Sequence, residues 1–452
     1  MTGLWFERAL LPTGWASNVA VDLTHRGTIA AIATDCADAG ERMRYGVALP
    51  GVPNLHSHAF QRAMAGLTER REEARDTFWS WRSLMYRFAG RVGPEALQAI
   101  AALAYMEMLE SGFTRVGEFH YLHHQPDGWE YDTPALMAQA LASAAAECGI
   151  ALTLLPVFYA SADFGGTPPA AEQRRFVSTR DSYDRLFDGS EAAIAGLEDA
   201  IVGIAPHSLR ATPLPDLNHL AHLRSDAPVH IHIAEQQQEV EACLAWSGKR
   251  PIELLLDNAE VDARWCLVHA THLDAGERKR VAASGAVVGL CPITEANLGD
   301  GLFPVAEFLE EQGVIGIGSD SNVRIDAAAE LQWLEYGQRL TRQARNVAAI
   351  PGPSTGRSLF DHAVAGGARA LGQNYHGIVV GAPADIVSLE ASSIDLVGRE
   401  DDAILDSWIF ARAQVESVWR RGRMYVSGGR HCERDAIEHK YKQVVTRLLQ
   451  DA

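Results

Sequence analysis

Two histidines separated by one residue, His56 and His58, follow the apolar run at residues 47–53. Side chains at positions i and i+2 of an extended segment point the same way, so both imidazoles can face one point in space. Such a pair can supply two nitrogen ligands to a transition metal at the end of a strand. Alternate histidines also occur on ordinary polar strand faces, so the interpretation depends on partners further along the chain.

Four further residues with ligand or acid–base side chains each follow an apolar run: His232, Glu235, His269 and Asp320. Together with the first pair they provide a mixed nitrogen and oxygen set, which suits zinc or another borderline divalent ion with a position left for water. A metal bound in this way lowers the pKa of its water to about 7. Asp320 would then accept a proton, while Glu235 would pass one to a leaving nitrogen.

Each of these residues also has an ordinary structural interpretation. A single histidine such as His269 is more often hydrogen-bonded in a core or on a surface. Asp320, within Gly-Ser-Asp-Ser, suits a turn or a helix N-cap, and Glu235 suits the first turn of a helix. Because all of these side chains come at the ends of apolar runs, a joint site is a better explanation than a series of coincidences.

The pattern between residues 47 and 350 indicates how these side chains are positioned. Eight short apolar runs predict strands over 47–55, 113–119, 151–157, 201–205, 228–234, 265–269, 286–291 and 314–319. Helical patterns lie between them, most clearly over 94–110, 134–147, 273–284 and 329–345. Strands that alternate with helices predict an α/β fold, a (β/α)8 TIM-like barrel with its site at the C-terminal ends of the strands.

The two ends of the chain differ from this central region. Residues 1–46 and 377–440 carry short β-like segments punctuated by glycine and proline, which predict one small β-sandwich built from both termini. We therefore divide the chain into an N-terminal sandwich segment (1–46), a metal-dependent catalytic barrel (47–376), and a C-terminal sandwich segment that ends in a helix (377–452). A long polar insertion over 164–176 follows the third predicted strand, and such loops often cover the mouth of a barrel.

Composition restricts the partners and the compartment. Of the 452 residues, 47% are hydrophobic and 22% are charged, which is typical of a globular chain, and the formal net charge of -18 disfavours nucleic acid or an anionic membrane as a partner. No uncharged run reaches the roughly 18–20 residues of a membrane span. The N-terminus lacks the pattern of a secretory signal, and the six cysteines form no Cys-x-x-Cys pair. We expect a cytoplasmic protein.

The order of these residues resembles that of the amidohydrolase superfamily. The resemblance rests on His56-x-His58, His232-x-x-Glu235, His269 and Ser319-Asp320-Ser321, and on the segment 381–389, which is similar to the family's C-terminal sandwich signature. It covers nearly the whole chain and implies a barrel with a β-sandwich made from both termini. The fourth predicted strand, 201–205, contains no lysine that could bridge two metals, so the resemblance implies the mononuclear, deaminase-like branch.

Three longer segments, 54–67, 117–124 and 333–338, resemble the members of that branch that act on N-formimino-L-glutamate in histidine degradation. The resemblance implies hydrolytic deimination to N-formyl-L-glutamate and ammonia, with one divalent ion per subunit and zinc as the favoured metal. It implies His56, His58, His232 and Asp320 as metal ligands, Gln61, Glu235 and His269 as residues that handle the formimino group and the attacking water, and Arg82, Tyr121, His207 and Arg210 as residues that bind the two carboxylates.

The two arginines have independent physical support. A small dianionic substrate that approaches a chain of charge -18 needs local cations, and arginine forms two charge-assisted hydrogen bonds with a carboxylate. Arg210 directly follows the fourth predicted strand, and Arg82 lies in an aromatic stretch after the first. The ordinary alternative for either residue is a solvated surface position.

Two other functions compete with deimination. A deaminase of a guanine, cytosine or adenosine type would keep the metal and need a pocket of amides and stacking aromatics, for which Trp79 and Trp81 are candidates. A barrel that serves only as a metal-binding scaffold would lack a ligand or a proton-shuttle residue, and no such position is missing. Dimers are common among enzymes of this kind, so we also expect a homodimer.

Overall fold

The computed structural model describes residues 3–70 and 78–450. The strands, in chain order, are β1 (Gly3–Leu11), β2 (Gly14–Leu23), β3 (Ile29–Ala33), β4 (Met43–Pro50), β5 (Val52–Ser57), β6 (Phe113–His120), β7 (Ala151–Phe158), β8 (Ile201–Val202), β9 (Ala205–Pro206), β10 (Val229–Ile233), β11 (Trp265–His269), β12 (Val287–Leu290), β13 (Val314–Ile317), β14 (Ile386–Leu389), β15 (Val415–Arg420), β16 (Arg423–Ser427) and β17 (Arg430–His431).

The α-helices lie between these strands, except for the last helix, which follows β17. They are α1 (Phe78–Ala89), α2 (Pro94–Ser111), α3 (Leu136–Cys148), α4 (Arg180–Ile194), α5 (Leu214–Ala221), α6 (Gln237–Ser247), α7 (Pro251–Asn258), α8 (Ala275–Ser284), α9 (Pro292–Leu298), α10 (Val305–Glu310), α11 (Ala327–Arg342), α12 (Thr355–Ala370), α13 (Asp402–Ala411) and α14 (Arg434–Gln450), with short 3-10 turns at Ala59–Met64, Ala171–Gln173 and Ile394–Leu396. In the ranges that the structure describes, no helix combines the length and the apolar character needed to cross a membrane.

Strands β5 to β13 form the central barrel. The order β5-β6-β7-β8, with β9 also paired to β7, makes one parallel sheet, and β10-β11-β12-β13 makes a second. Isolated parallel bridges join the two sheets at both edges, at Ser57 with Asp320 and at Ile204 with Val229. The short β8 and β9 together occupy the fourth strand position, so the prediction of an eight-position (β/α)8 barrel is confirmed.

The predicted first strand, 47–55, is divided between two sheets. Strand β4 pairs with β1 and β14 of the terminal sheet, whereas β5 pairs with β6 of the barrel. The break falls at Gly51, where a Cβ atom would lie 2.2 Å from Oγ1 of Thr114, so only glycine lets the chain pass at this point. Because both strands are apolar, the hydrophobic pattern of the sequence predicts one continuous strand and does not reveal the break.

The strands from both ends of the chain form one eight-stranded sheet in the order β17-β16-β15-β14-β4-β1-β2-β3. This sheet curls around its own apolar core, since the rings of Phe6 and Trp419 lie 5.9 Å apart although β4 and β14 separate their strands. Tyr45 packs on the same tryptophan at 4.6 Å. A terminal β unit built from both ends was expected. The domain boundaries at 46/47 and 376/377 remain predictions.

Sequence signals at the helix ends locate the helices that pack around β6 and β7. Helix α2 begins at Pro94 and is closed by Gly112, whose φ of 102° lies in the left-handed region. Helix α3 is closed in the same way by Gly149, with φ of 80°, and begins at Leu136, two residues later than predicted. These helices cover the outer side of the strands whose carboxyl ends form one side of the site.

Candidate metal-dependent active site

The predicted ligand and acid–base residues converge at the carboxyl ends of four barrel strands. His56 belongs to β5 and His58 follows it, His232 belongs to β10, His269 ends β11, and Asp320 follows β13. All five side chains are buried. Since parallel strands of a barrel present their carboxyl ends at one mouth, residues far apart in the sequence form a single cluster.

Three imidazole nitrogens and one carboxylate oxygen face the same point. The Nε2 atom of His56 lies 3.2 Å from Nε2 of His58 and 3.0 Å from Nε2 of His232. The Oδ1 atom of Asp320 lies 3.5 Å and 3.3 Å from Nε2 of His56 and His58. The ligand atoms of the three histidines all lie within 4.8 Å of one another.

Backbone carbonyl groups fix the orientation of two of these rings. Nδ1 of His58 lies 2.8 Å from the carbonyl oxygen of Phe119, and Nδ1 of His232 lies 3.1 Å from that of His207. A carbonyl oxygen only accepts, so each Nδ1 donates and leaves an Nε2 lone pair directed at the cluster centre. Lone pairs and a carboxylate oxygen that face one point repel one another unless a cation lies between them, so this donor set fits a divalent metal ion.

The backbone near the site adopts conformations that L-residues rarely take. Asp320 has φ of 44°, and His269, Ala270 and Ala234 have φ of 68°, 49° and 49°. The N–H group of Asp320 donates to the carbonyl oxygen of His56 at 2.9 Å, while its own carbonyl oxygen accepts from the N–H group of His58 at 2.9 Å. These paired bonds hold the Asp320 carboxylate beside the two histidines and stabilise the strained conformation.

Burial keeps the histidines in the neutral form that a metal requires. It lowers the pKa of His56 to about 3 and is the largest cause that lowers the pKa of His58 and of His232. Burial would raise the pKa of Asp320, but its hydrogen bond with His56 and the neighbouring histidines hold that pKa well below its usual range. The site therefore presents neutral imidazoles and an ionised carboxylate, as metal ligation demands.

Two groups beside the cluster are suited to proton transfer. Nε2 of His269 lies 3.8 Å from Oε1 of Glu235 and 3.9 Å from Oδ2 of Asp320. Burial raises the pKa of Glu235 to about 7. Burial alone would lower the pKa of His269, but the charge of Glu235 and a hydrogen bond to Glu295 raise it to about 10. An acid that titrates near neutral pH thus lies beside a positively charged imidazole.

Sequence reasoning missed Glu295, which contacts the other nitrogen of His269. Its Oε1 atom lies 3.2 Å from Nδ1 of His269 and also accepts from the N–H group of Cys291 at 2.9 Å. Glu295 belongs to α9, directly after β12. The available signal was its position. The fourth, fifth, sixth and eighth predicted strands are each followed by a candidate residue, whereas no candidate was assigned after the seventh, which Glu295 follows.

The five residues predicted to bind substrate line one cavity together with three of the four proposed metal ligands, His58, His232 and Asp320. These five residues are Gln61, Arg82, Tyr121, His207 and Arg210. Nε2 of Gln61 donates to the Tyr121 hydroxyl at 3.0 Å, while Oε1 of Gln61 is buried without a hydrogen-bond partner among the described residues. The backbone carbonyl of His207 orients His232, so this residue joins the metal cluster to the substrate side of the cavity.

Arg82 and Arg210 both lie close to the ring of Trp79. Their Cζ atoms are 4.2 Å and 5.7 Å from the centre of the Trp79 ring. Arg210 is only 6% exposed, its Nε atom is a buried donor with no partner, and no carboxylate of the described residues forms an ion pair with it. The cavity therefore contains a buried guanidinium that forms no ion pair within the described ranges of the chain, while the charges of Glu239 and Glu235 favour its charged form.

The fold and the site together define a metal-dependent hydrolase of the (β/α)8 barrel class. The chain belongs to the amidohydrolase family, whose sequence model matches residues 47–425. The resemblance inferred from the motifs is thereby confirmed.

Individual relatives agree with this assignment. The chain is 48% identical to formimidoylglutamate deiminase of Pseudomonas aeruginosa over 454 residues, which covers 99% of this chain and 100% of the relative. It superposes on a crystal structure of an amidohydrolase from Brucella melitensis with a TM-score of 0.97 and 50% identity, covering 99% and 100% of the two chains. A zinc-bound adenosine deaminase from Xanthomonas campestris shares the fold, with a TM-score of 0.83 at 22% identity over 99% and 98%.

Proposed function

We propose that this protein catalyses the hydrolytic deimination of N-formimino-L-glutamate to N-formyl-L-glutamate and ammonia. The observation that carries the proposal is Arg210, a buried guanidinium without a carboxylate partner among residues 3–70 and 78–450, in the same cavity as Arg82. A buried charge is costly unless it is paired, so a substrate carboxylate is its natural partner. The deiminase of Pseudomonas aeruginosa, 48% identical to this chain, is named for the formimidoyl derivative of glutamate.

One divalent ion per subunit belongs to the proposal. His56, His58, His232 and Asp320 would hold it, and it would supply a water nucleophile that is deprotonated near neutral pH. Zinc is the metal we propose, because imidazole and carboxylate ligands suit it and because the related adenosine deaminase structure contains zinc.

The reaction converts R–NH–CH=NH and water into R–NH–CH=O and ammonia, and the protons move through residues of this chain. Oδ2 of Asp320, directed at His269, takes the proton that the attacking water loses. Glu235, whose pKa burial raises to about 7, passes two protons in turn to the nitrogen that leaves as ammonia. It is reprotonated from Asp320 and from the hydroxyl group of the adduct, so both protons of the water reach that nitrogen. The positive charge of His269 stabilises the hydroxide that forms as the attacking water loses its proton.

Gln61 and the carboxylate-binding residues orient the substrate. The buried Oε1 atom of Gln61 would accept an N–H group of the formimino end, since it has no partner among the described residues. Arg82 and Arg210, with Tyr121 and His207, would hold the two carboxylates at the other end. Fixing both ends of the substrate places the formimino carbon next to the acid–base pair.

We also propose a homodimer in the cytoplasm. Helix α11 exposes Trp333, Tyr336 and Leu340 at positions that lie close together on its surface. An apolar helix face of this kind supports self-association. Size-exclusion chromatography with light scattering tests the oligomeric state directly.

Ammonia release by the purified, zinc-loaded protein tests the proposed reaction. N-formimino-L-glutamate, N-formimino-L-aspartate, guanine, cytosine and adenosine would be supplied in parallel, with Arg210→Ala beside the wild type and the exposed Arg345→Ala as a matched control. We expect turnover of the glutamate compound and a large loss of kcat/KM only in Arg210→Ala. Turnover of a purine or pyrimidine base, with no effect of Arg210→Ala, would replace the proposal with an aromatic-base deaminase.

A further inference from the structure

We propose that the hydroxyl groups of Tyr159 and Tyr86, aligned by Gln173, form a carboxylate-binding subsite beside Arg82 and Arg210. Both tyrosines line the same cavity as the metal cluster. The inference rests on the proposed function, which it deepens by assigning residues that recognise the anionic end of the substrate. It also gives a role to the long insertion after β7, where Gln173 lies.

Gln173 is held between the backbone of its own loop and the two tyrosines. It is 3% exposed and forms the end of the Ala171–Gln173 turn. Its Oε1 atom lies 2.8 Å from the backbone nitrogen of Ala170. Its Nε2 atom lies 2.5 Å from the hydroxyl oxygen of Tyr159 and 3.3 Å from that of Tyr86.

The chemistry of these groups fixes the direction of the hydrogen bonds. A backbone N–H group can only donate, so the Gln173 atom that meets Ala170 must be the carbonyl oxygen. The atom that faces the tyrosines is therefore the NH₂ group, which can only donate. Both hydroxyl oxygens accept from Gln173, and neither hydroxyl hydrogen is used in these bonds.

The hydroxyl hydrogens must then find acceptors elsewhere. The hydroxyls of Tyr86 and Tyr159 adjoin, so one hydrogen can be shared between them. The nearby side chains of Arg82 and Arg210 offer only donors. Burial raises the pKa of Tyr159, so its hydroxyl remains protonated. Among the residues that the structure describes, at least one hydroxyl hydrogen thus remains available to a ligand in the cavity.

A carboxylate satisfies all of these donors at once. It accepts up to four hydrogen bonds and carries the charge that Arg82 and Arg210 need. The ring of Phe176, from the same loop as Gln173, packs 5.8 Å from the Tyr159 ring and 5.6 Å from the Tyr86 ring. The insertion after β7 therefore fixes both the hydroxyl direction and the ring positions, and so selects substrates that end in carboxylates.

Steady-state kinetics of Tyr159→Phe and Gln173→Glu test the inference. Tyr159→Phe removes the hydroxyl group. Gln173→Glu replaces the amide donor with a carboxylate, which accepts the tyrosine hydroxyl hydrogens and so directs them away from the cavity. For each variant we expect the KM for N-formimino-L-glutamate to rise about ten- to a hundredfold, the range for one lost charge-assisted hydrogen bond, while kcat changes far less. N-butylformamidine, which has no carboxylate, serves as the comparison substrate and should show no such rise in KM.

Tyr45→Phe in the terminal sheet and Gln450→Glu at an exposed position of the last helix are matched controls, and we expect wild-type kinetics from both. Thermal unfolding and zinc content would show that each variant is folded and loaded. The inference is overturned if the KM of Tyr159→Phe for N-formimino-L-glutamate stays within about twofold of wild type, which is below the effect of one hydrogen bond. It is also overturned if N-butylformamidine shows the same loss.

Calorimetric binding of glutarate separates this inference from the proposed reaction. Weaker glutarate binding by Tyr159→Phe than by wild type supports the subsite even if the wild type releases no ammonia from N-formimino-L-glutamate. In that case the proposed reaction alone has failed. Equal glutarate binding by the two proteins, or none by either, overturns the subsite whatever the outcome of the ammonia assay.

Discussion

Nδ1 of His269 lies 3.2 Å from Oε1 of Glu295. Helix α9, which follows the seventh barrel strand, therefore orients His269, a catalytic candidate at the end of the sixth strand. The same carboxylate oxygen accepts from the backbone of Cys291, which limits its movement. Glu295 therefore directs the opposite nitrogen, Nε2, towards Glu235 and Asp320. A carboxylate behind a histidine is a common means of fixing its orientation and favouring its charged form.

We predict that Glu295→Gln lowers kcat by about ten- to a hundredfold, with zinc content and KM close to wild type. The amide still accepts a hydrogen bond but no longer stabilises the charge on His269, and a bond to a charged group contributes about 1.5–3 kcal/mol. Loss of this carboxylate should lower the pKa of His269, so activity should decline at a lower pH than in the wild type. A kcat–pH profile measures both effects. An unchanged profile would exclude this role for Glu295.

The two arginines of the cavity should differ in importance. Arg210 is buried and Arg82 is half-buried, so a substrate carboxylate bound to Arg210 is better shielded from water. We predict that Arg210→Lys raises the KM for N-formimino-L-glutamate at least tenfold, roughly the cost of losing a two-pronged contact, and that Arg82→Lys raises it less. Parallel kinetics of the two variants measure the difference. Equal effects would mean that burial does not distinguish the two sites.

Sequence periodicity could predict the barrel and its metal cluster because the alternation of strands and helices, and the residues at the strand ends, can be read along the chain. The i, i+2 spacing of His56 and His58 fixes their common direction, and a barrel brings the ends of its strands to one mouth. The division of the first predicted strand at Gly51 was not predictable in this way, since the apolar pattern continues across it. It depends on contact with Thr114, which only the folded chain provides.

The substrate side of the cavity depends on contacts between loops, which a single sequence does not encode in a readable spacing. Gln173 meets Tyr86 across 87 residues of chain and Tyr159 across 14. Glu295 and His269 are 26 residues apart, without a periodic relationship. Arg210 and Arg82 could be proposed from charge and position, but the absence of a carboxylate partner within the described ranges became apparent only in the structure.

Removal of the metal should affect both activity and stability. We predict that dialysis against a chelator abolishes ammonia release and lowers the melting temperature, and that one equivalent of zinc per chain restores both, because a ligand that binds only the folded state stabilises it. His58→Ala should bind zinc more weakly than wild type, while Cys432→Ser, an exposed cysteine away from the cluster, serves as the control. Metal analysis that found two tightly bound ions per chain would contradict the single-metal site.

Glu118 should make the stability of the protein depend on pH. Its side chain is 2% exposed and accepts from the N–H group of Ala59 at 2.7 Å, at the start of the turn that follows His58. Burial raises its pKa from 4.5 to about 8, so the folded state holds a proton that the unfolded state has released between these values. The contribution of Glu118 to the free energy of unfolding is therefore fully present below about pH 4.5 and declines as the pH rises towards about 8, by an amount on the order of a few kcal/mol.

The Glu118→Gln variant tests this assignment, because the amide keeps the hydrogen-bond acceptor and does not titrate. Urea unfolding at pH 5 and pH 9 should show a smaller pH effect in this variant than in wild type, and parallel pH curves would contradict the assignment.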